Sequence, residues 1–231
     1  MADGFATVQV NGTPVPVTGT EDDVTIGVAL PAFKNWLSNV EPGLTITSIR
    51  IRDAKDYGPV HFLAMHVDAQ NDLGETLPGY TFLRGGSTAI LVILNCEGEQ
   101  YLVLVKQARV PVGKTAMLEI PAGVGVGKVT AIQELAQELG IEVGGDLVFP
   151  LRDRPLYSSP GASDEAIHYF CLALDVSRPE LERLNGRFTG VRIENERILT
   201  VVMPLEQACA ELDDTKLFAA LTLYEQKQHD F

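Results

Sequence analysis

The sequence predicts an α/β (α+β) protein in two parts: a small β-rich N-terminal unit over residues 1–80 and a mixed-sheet core over residues 81–231. Three observations predict it. The run Thr88–Asn95, TAILVILN, is nearly all apolar, the pattern of a strand covered on both faces. Segments with strand patterning and segments with helical spacing are interspersed along the chain rather than segregated. The texture also changes near Tyr80, from short alternating stretches to long apolar ones.

Taken in order, Thr7–Val17 alternates and is broken by Asn11-Gly12, a hairpin signal. Leu30–Val40 opens on Pro31 and spaces Phe33, Trp36, Leu37 and Val40 along one helical face. Ile46–Arg52 alternates as a strand. Val60–Val67 follows Gly58-Pro59 and is mostly apolar apart from His61 and His66. Asp68–Gly79, rich in Asp, Asn, Gly and Thr, reads as a loop or hairpin tip. Thr88–Leu94 and Tyr101–Val105 form strands around a turn at Glu97-Gly98-Glu99. Then come a glycine-rich loop and a helix, strands at Leu147–Leu151, Ile167–Leu174 and Ile198–Met203, and helices at Leu205–Leu212 and Lys216–Gln228. About eighty residues with one Trp make a marginal independent domain, so the first unit is expected to pack on something else, another subunit included.

Composition narrows the function. With 31 acidic and 18 basic residues the net charge is −13, which opposes nonspecific binding to nucleic acid or to an anionic membrane. Cys96, Cys171 and Cys209 form no CxxC pair, and free buried thiols in a reducing compartment are the expected state. The N-terminal segment lacks secretory and transit-peptide character, and no apolar run approaches the ~20 residues that span a bilayer. A cytoplasmic protein is the expectation.

The chemistry centres on Leu118–Val143, LEIPAGVGVGKVTAIQELAQELGIEV. Glu134 and Glu138 lie four apart on a helix and so project side by side, with no Lys or Arg between Val129 and Val143 to offset them. In an acidic protein such a pair is ordinarily a solvated face. Beside a glycine loop it also suits a hard divalent cation such as Mg²⁺. His61, His66 and His168 lie in strand-like sequence and read as packed or edge residues. The glycines at 123, 125 and 127 have the wrong spacing for a dinucleotide fingerprint.

The segment resembles the Nudix box, G-x5-E-x7-R-E-U-x-E-E-x-G-U with U a bulky aliphatic residue. Here the second half reads Gln133-Glu134-Leu135-Ala136-Gln137-Glu138-Leu139-Gly140-Ile141. Gln133 replaces the family's Arg, and Gln137 replaces the first Glu of its pair. Gly123 and Gln133 are 133 − 123 = 10 positions apart where the pattern has 14, so the loop is about four residues short. Further segments are similar to the ADP-ribose and ADP-sugar hydrolysing branch: Phe82–Gly86, Gln107–Lys114, Leu118–Gly123, Ser159–Glu165, Gly186–Arg192 and Leu223–Glu225.

The resemblance implies a Nudix fold, a mixed β-sheet sandwiched between helices, with the N-terminal unit pairing two chains into a homodimer. It implies Mg²⁺-dependent hydrolysis of a nucleoside diphosphate sugar to AMP and a sugar phosphate, with Mn²⁺ as a possible substitute. Glu134, Glu138 and the carbonyl of Ala122 would hold the cation. Glu138 and Glu165 would be the catalytic acids, Glu165 as a third ligand or as the base positioning the water. Arg84 and Arg109 would contact phosphate or ribose, with Lys114 a lesser point charge. Glu119 would pair with one of these arginines or touch the ribose. Tyr157 and Phe170 are assigned to the core, with base stacking as the alternative. Gln137 in place of a family carboxylate predicts weaker Mg²⁺ affinity without loss of fold. The alternative reading is a weakly active or inactive Nudix module that binds a nucleotide sugar or a protein partner.

Overall fold

The structure, a computed structural model, describes residues 2–58, 60–189 and 197–229. The chain divides into two compact units. One comprises Met1–Gly86 with Tyr157–Ala166, and the other comprises Ser87–Leu156 with Ile167–Phe231.

The first unit contains β1 (Asp3–Val10), β2 (Thr13–Thr20), α1 (Glu21–Ala29), α2 (Pro31–Asn39), β3 (Thr45–Tyr57), β4 (Val60–Gln70), β5 (Thr76–Leu77) and β6 (Tyr80–Leu83). Asn11 and Gly12 both take positive φ, 49° and 80°, as the tight β1–β2 turn requires. The sheet runs β1-β2-β3-β4-β5, with β6 also on β4. Strands β2 and β3 pair in parallel and are joined through α1 and α2. Val15, Val17, Ile49, Ile51, Leu63, Met65 and Val67 alternate onto the face that packs against Leu30, Ala32 and Phe33.

Helix α1 was not expected from the sequence. Its start does carry a local signal: the Thr20 hydroxyl caps it by accepting from the Asp23 N–H at 3.2 Å, ahead of an acidic first turn. Its interior, with Val24, Thr25, Ile26, Gly27 and Val28, has poor helix propensity. Packing holds it instead. A Cβ at Gly27 would stand 2.6 Å from Ile51 Cδ1 and 3.1 Å from Leu63 Cδ1, so glycine lets the helix lie this close to the sheet without displacing either side chain.

The second unit adds β7 (Ser87–Cys96), β8 (Glu99–Arg109), β9 (Lys114–Glu119), β10 (Ala122–Val124), α3 (Lys128–Leu139) and β11 (Val148–Pro150). The chain continues through β12 (Leu156–Tyr157), β13 (Ala166–Asp175), α4 (Arg178–Leu184), β14 (Phe188–Thr189), β15 (Ile198–Pro204), α5 (Leu205–Glu211) and α6 (Thr215–His229). The sheet order is β11-β13-β7-β8-β15-β14, with β13 parallel to β7 and β8 antiparallel to it. Ala89, Leu91 and Ile93 face one cluster with Ala208, Leu212, Leu217 and Ala220 of the C-terminal region. Ile90, Val92 and Leu94 face the other, with Ala131, Leu135 and Leu139 of α3 and Leu181 of α4. Helices therefore cover both faces, which is why TAILVILN carries no polar alternation.

Helix α4 also escaped the sequence reading, although Ser177 and Glu180 form a complete capping box ahead of it. Phe170 is core, but Tyr157 is 62% exposed, which corrects its assignment to the interior. It stands on the two-residue strand Leu156–Tyr157, in which Leu156 is half-buried and Tyr157 faces solvent. Of the Gly186–Arg192 segment, Gly190, Val191 and Arg192 lie outside the described residues.

Candidate active site

Helix α3 buries Ala131, Leu135, Glu138 and Leu139, an i, i+4, i+7, i+8 stripe with a carboxylate among aliphatics. Glu138 is 5% exposed, and a buried carboxylate is costly unless it is hydrogen-bonded or meets a cation. Its Oε2 accepts from the Ala122 backbone N–H at 3.2 Å. One turn earlier, Glu134 lies directly over Gly123: a Cβ there would stand 1.7 Å from Glu134 Oε1 and 2.0 Å from Cδ. Both carboxylates therefore meet the backbone of β10 at Ala122 and Gly123. Gln133 and Gln137, where the box departs from the family, point to solvent and leave no buried orphan.

The helix is fixed at its C-terminal end. Gly140, φ 63°, closes it by donating its N–H to Ala136 O at 3.1 Å, and Ile141 N–H reaches Leu135 O at 2.9 Å. The Thr189 hydroxyl donates to the carbonyl of Glu138 itself.

The LEIP strand carries a second charged cluster. Arg109 grips Glu119 through two bonds, Nε to Oε1 at 2.6 Å and Nη2 to Oε2 at 3.1 Å. Lys216 Nζ lies 3.0 Å from Glu119 Oε2 and 2.9 Å from Asp214 Oδ1. Asp214 also accepts from the Ile120 N–H at 3.0 Å, tying the strand to the start of α6. Burial alone would raise the Glu119 pKa, but the Arg109 hydrogen bond and the two positive charges reverse this and hold it below the ordinary value. Burial likewise pulls Lys216 down, and its two carboxylates more than compensate, leaving it above an ordinary lysine. Lys114 pairs with Asp213 at the surface, at 3.0 Å.

In the first unit two segments eighty residues apart come together. Phe82 N–H donates to Ala162 O at 2.8 Å, and Asp164 Oδ1 accepts from the backbone N–H groups of Arg84 at 2.9 Å and Gly85 at 3.2 Å. Arg84 Nη1 then lies 3.4 Å from Glu165 Oε1, and Ser158 Oγ donates to Glu165 Oε2 at 3.0 Å. The expected residues are thus gathered in three groups: Ala122 with Glu134 and Glu138, Arg109 with Glu119, and Arg84 with Glu165. Among the described residues no group of three His, Cys, Asp or Glu side chains is placed to hold a metal ion.

No family model matches the chain. It is 30% identical over 220 residues to Nudix hydrolase 14, chloroplastic, of Arabidopsis thaliana, covering 86% of this chain and 71% of that protein. The chain belongs to the Nudix hydrolase family. A second relative, the ADP-ribose pyrophosphatase of Bacillus subtilis (strain 168), is 31% identical over 143 residues, 60% of this chain and 69% of its own. Among solved structures, an ADP compounds hydrolase matches with a TM-score of 0.54 at 15% identity, over 83% of this chain and 97% of that one. That likeness bears on the fold, and it agrees with the mixed sheet between helices described above. No described helix of this Nudix hydrolase is long and apolar enough to cross a membrane.

Lys216, Asp214, Thr189 and Thr88, whose hydroxyl accepts from the Gly127 N–H at the start of α3 at 3.2 Å, were missed from sequence. Asp214 had a visible signal, an acidic residue just before a helix, the usual place for a cap. Lys216 had none, because its contact with Glu119 spans 97 positions.

Proposed function

We propose that this Nudix hydrolase cleaves the pyrophosphate bond of a nucleoside diphosphate sugar of the ADP-ribose or ADP-glucose type. Water adds to one phosphorus, the bridging P–O bond breaks, and AMP and a sugar phosphate leave. The observation that carries the reading is the pair Glu134 and Glu138, side by side against the Ala122–Gly123 backbone.

The donor chemistry fits a hard divalent cation, Mg²⁺ or in its place Mn²⁺. Two carboxylates converge on one strand, and Mg²⁺ keeps several of its waters rather than demanding an all-protein cage. In an extended strand a residue's N–H and C=O point to the same edge. Because the Ala122 N–H is turned to Glu138, its carbonyl is supported as the third oxygen. When bound, such a cation neutralises phosphate charge and polarises the phosphoryl oxygen. The chain's own residues do the rest. Glu134 and Glu138 hold their carboxylates at fixed positions, and Arg109, oriented by Glu119, offers a guanidinium whose side chain is 39% exposed. Glu165 is proposed as a third ligand or as the base that positions the attacking water and takes its proton, and Arg84 as a phosphate contact, both carried over from the family's motifs.

A homodimer and a cytoplasmic location belong to the same proposal. The dimer is supported by a rung of the N-terminal sheet, Phe5, Thr18, Arg50, His66 and Tyr80, whose terminal aromatics are 69% and 73% exposed.

The second reading, a module that binds a nucleotide sugar or a protein partner with little turnover, is favoured by the replaced box residues Gln133 and Gln137 and by the short Gly125–Gly127 loop. The deciding experiment is AMP release from ADP-ribose and ADP-glucose with and without Mg²⁺, alongside calorimetric binding of both. Metal-dependent release supports hydrolysis. Binding without release supports the second reading, and neither binding nor release removes this substrate class.

A further inference from the structure

The four residues missing from the box raise a mechanical question: what fixes the start of the helix that carries both carboxylates? Only Gly125, Val126 and Gly127 connect β10 to α3. Gly125 and Gly127 take φ of 121° and 100°, and Gly127, as N-cap, has no side chain with which to cap. The first turn of α3 contains no acid to meet the helix dipole. Nothing within the loop's own sequence anchors it.

Thr88 supplies the anchor from the neighbouring strand. It is fully buried on β7, opposite Gly123 in the β7–β10 ladder. Its hydroxyl donates to Gly125 O at 2.9 Å and accepts from the Gly127 N–H at 3.2 Å. One oxygen thus closes the turn on both sides, using the donor and acceptor capacity that Val lacks. The same rung holds Gly123, over which Glu134 lies. A helix that slips at Gly127 slips along β10, and both carboxylates go with it.

We propose that Thr88 is a positioning residue whose hydroxyl sets the metal affinity of the Glu134–Glu138 pair by fixing the shortened Gly125–Gly127 turn. This rests on the cation site of the preceding subsection. It is specific to a short loop, since a longer one has slack that a single clamp does not remove.

The test uses the full chain with three substitutions. Thr88→Val keeps the shape and removes the hydroxyl, and Thr88→Ser keeps the hydroxyl. Thr200→Val is the control, because Thr200 is equally buried on β15 and its hydroxyl has no hydrogen-bond partner among the described residues. Mn²⁺ affinity is measured by calorimetry without nucleotide, well below each melting temperature, together with the Mg²⁺ concentration for half-maximal AMP release. Thr88→Val is expected to weaken Mn²⁺ binding by roughly 10-fold or more, the usual consequence of losing a residue that supports metal ligands. Thr88→Ser and Thr200→Val are expected to match the parent. Should Thr88→Val not fold, Thr88→Cys, with a thiol that is a poor donor and acceptor, takes its place. Parental Mn²⁺ affinity in the hydroxyl-less variant, or equal weakening in Thr88→Ser, overturns the inference. If the parent binds Mn²⁺ but releases no AMP, hydrolysis falls and the affinity series still decides the role of Thr88. If the parent binds no Mn²⁺, the cation site and this inference fall together.

Discussion

Gly123→Ala offers a sharp separation of chemistry from stability. Ala at this position adds a Cβ 1.7 Å from Glu134 Oε1, 2.0 Å from Cδ and 2.7 Å from Oε2, and all three nearest atoms belong to that one side chain. Ordinary contact begins near 3.4 Å, so the carboxylate has to withdraw by 3.4 − 1.7, about 1.7 Å. Gly123 sits in a strand without positive φ, so the backbone accepts Ala, and such replacements contribute about 0.4–1 kcal/mol through the unfolded chain. Moving the end of a flexible, half-buried side chain offsets that gain without opening a cavity. The melting temperature is therefore expected to stay close to that of the parent. Activity is expected to fall by about 100-fold, since displacements on the order of 1 Å have that effect on a positioned catalytic group. Metal-dependent AMP release and thermal melting on the same preparations measure both. Undiminished turnover, or a loss that merely tracks unfolding, would refute the placement of Glu134 in the site.

Three other outcomes follow from the same geometry. Glu138→Gln keeps an acceptor for the Ala122 N–H but loses the charge; it is expected to abolish Mg²⁺-dependent turnover while leaving metal-free melting unchanged, as calorimetry would show. Lys216→Met strands Glu119 and Asp214, both under 5% exposed, and should cost on the order of 3 kcal/mol in urea unfolding, with Arg109 limiting the damage. The cost depends on pH with a definite sign. Glu119 is depressed, so its contribution is full above the ordinary 4.5 and is lost as pH falls through its lower folded value. Lys216 is raised, so its contribution is full below 10.5 and is lost as pH rises through its higher folded value. The parent–variant difference should hold level between those limits and shrink outside them; a difference that varies across the level range would contradict the network. Tyr80→Asp puts a charge on the exposed sheet rung and is expected to turn a homodimer into monomers by analytical ultracentrifugation, whereas a monomeric parent would dispose of the dimer.

What was legible in the sequence was what is local. Asn11-Gly12 announced its turn because two consecutive positive φ values suit few other pairs. The Glu134–Glu138 pair was legible because helical spacing alone sets it on one face. Helix α1 was not, since its β-branched interior and Gly27 argue against a helix until Ile51 arrives from a distant strand. Lys216 and Thr88 were invisible for the same reason: each acts on a partner that only the folded sheet brings near.

The degenerate box makes physical sense once its faces are separated. The two altered positions, Gln133 and Gln137, are exposed, while Glu134 and Glu138 turn toward β10. An Arg-to-Gln and a Glu-to-Gln change on the solvent side leave no charge buried without a partner, which is the expensive outcome. The shortened loop removes length only between β10 and α3, and the Thr88 hydroxyl spans what remains. The changes in the box therefore leave the placement of Glu134 and Glu138 against β10 intact. The pattern loses letters on the face that meets water and keeps them on the face that meets the strand, where Glu138 accepts from the Ala122 N–H and Glu134 lies over Gly123.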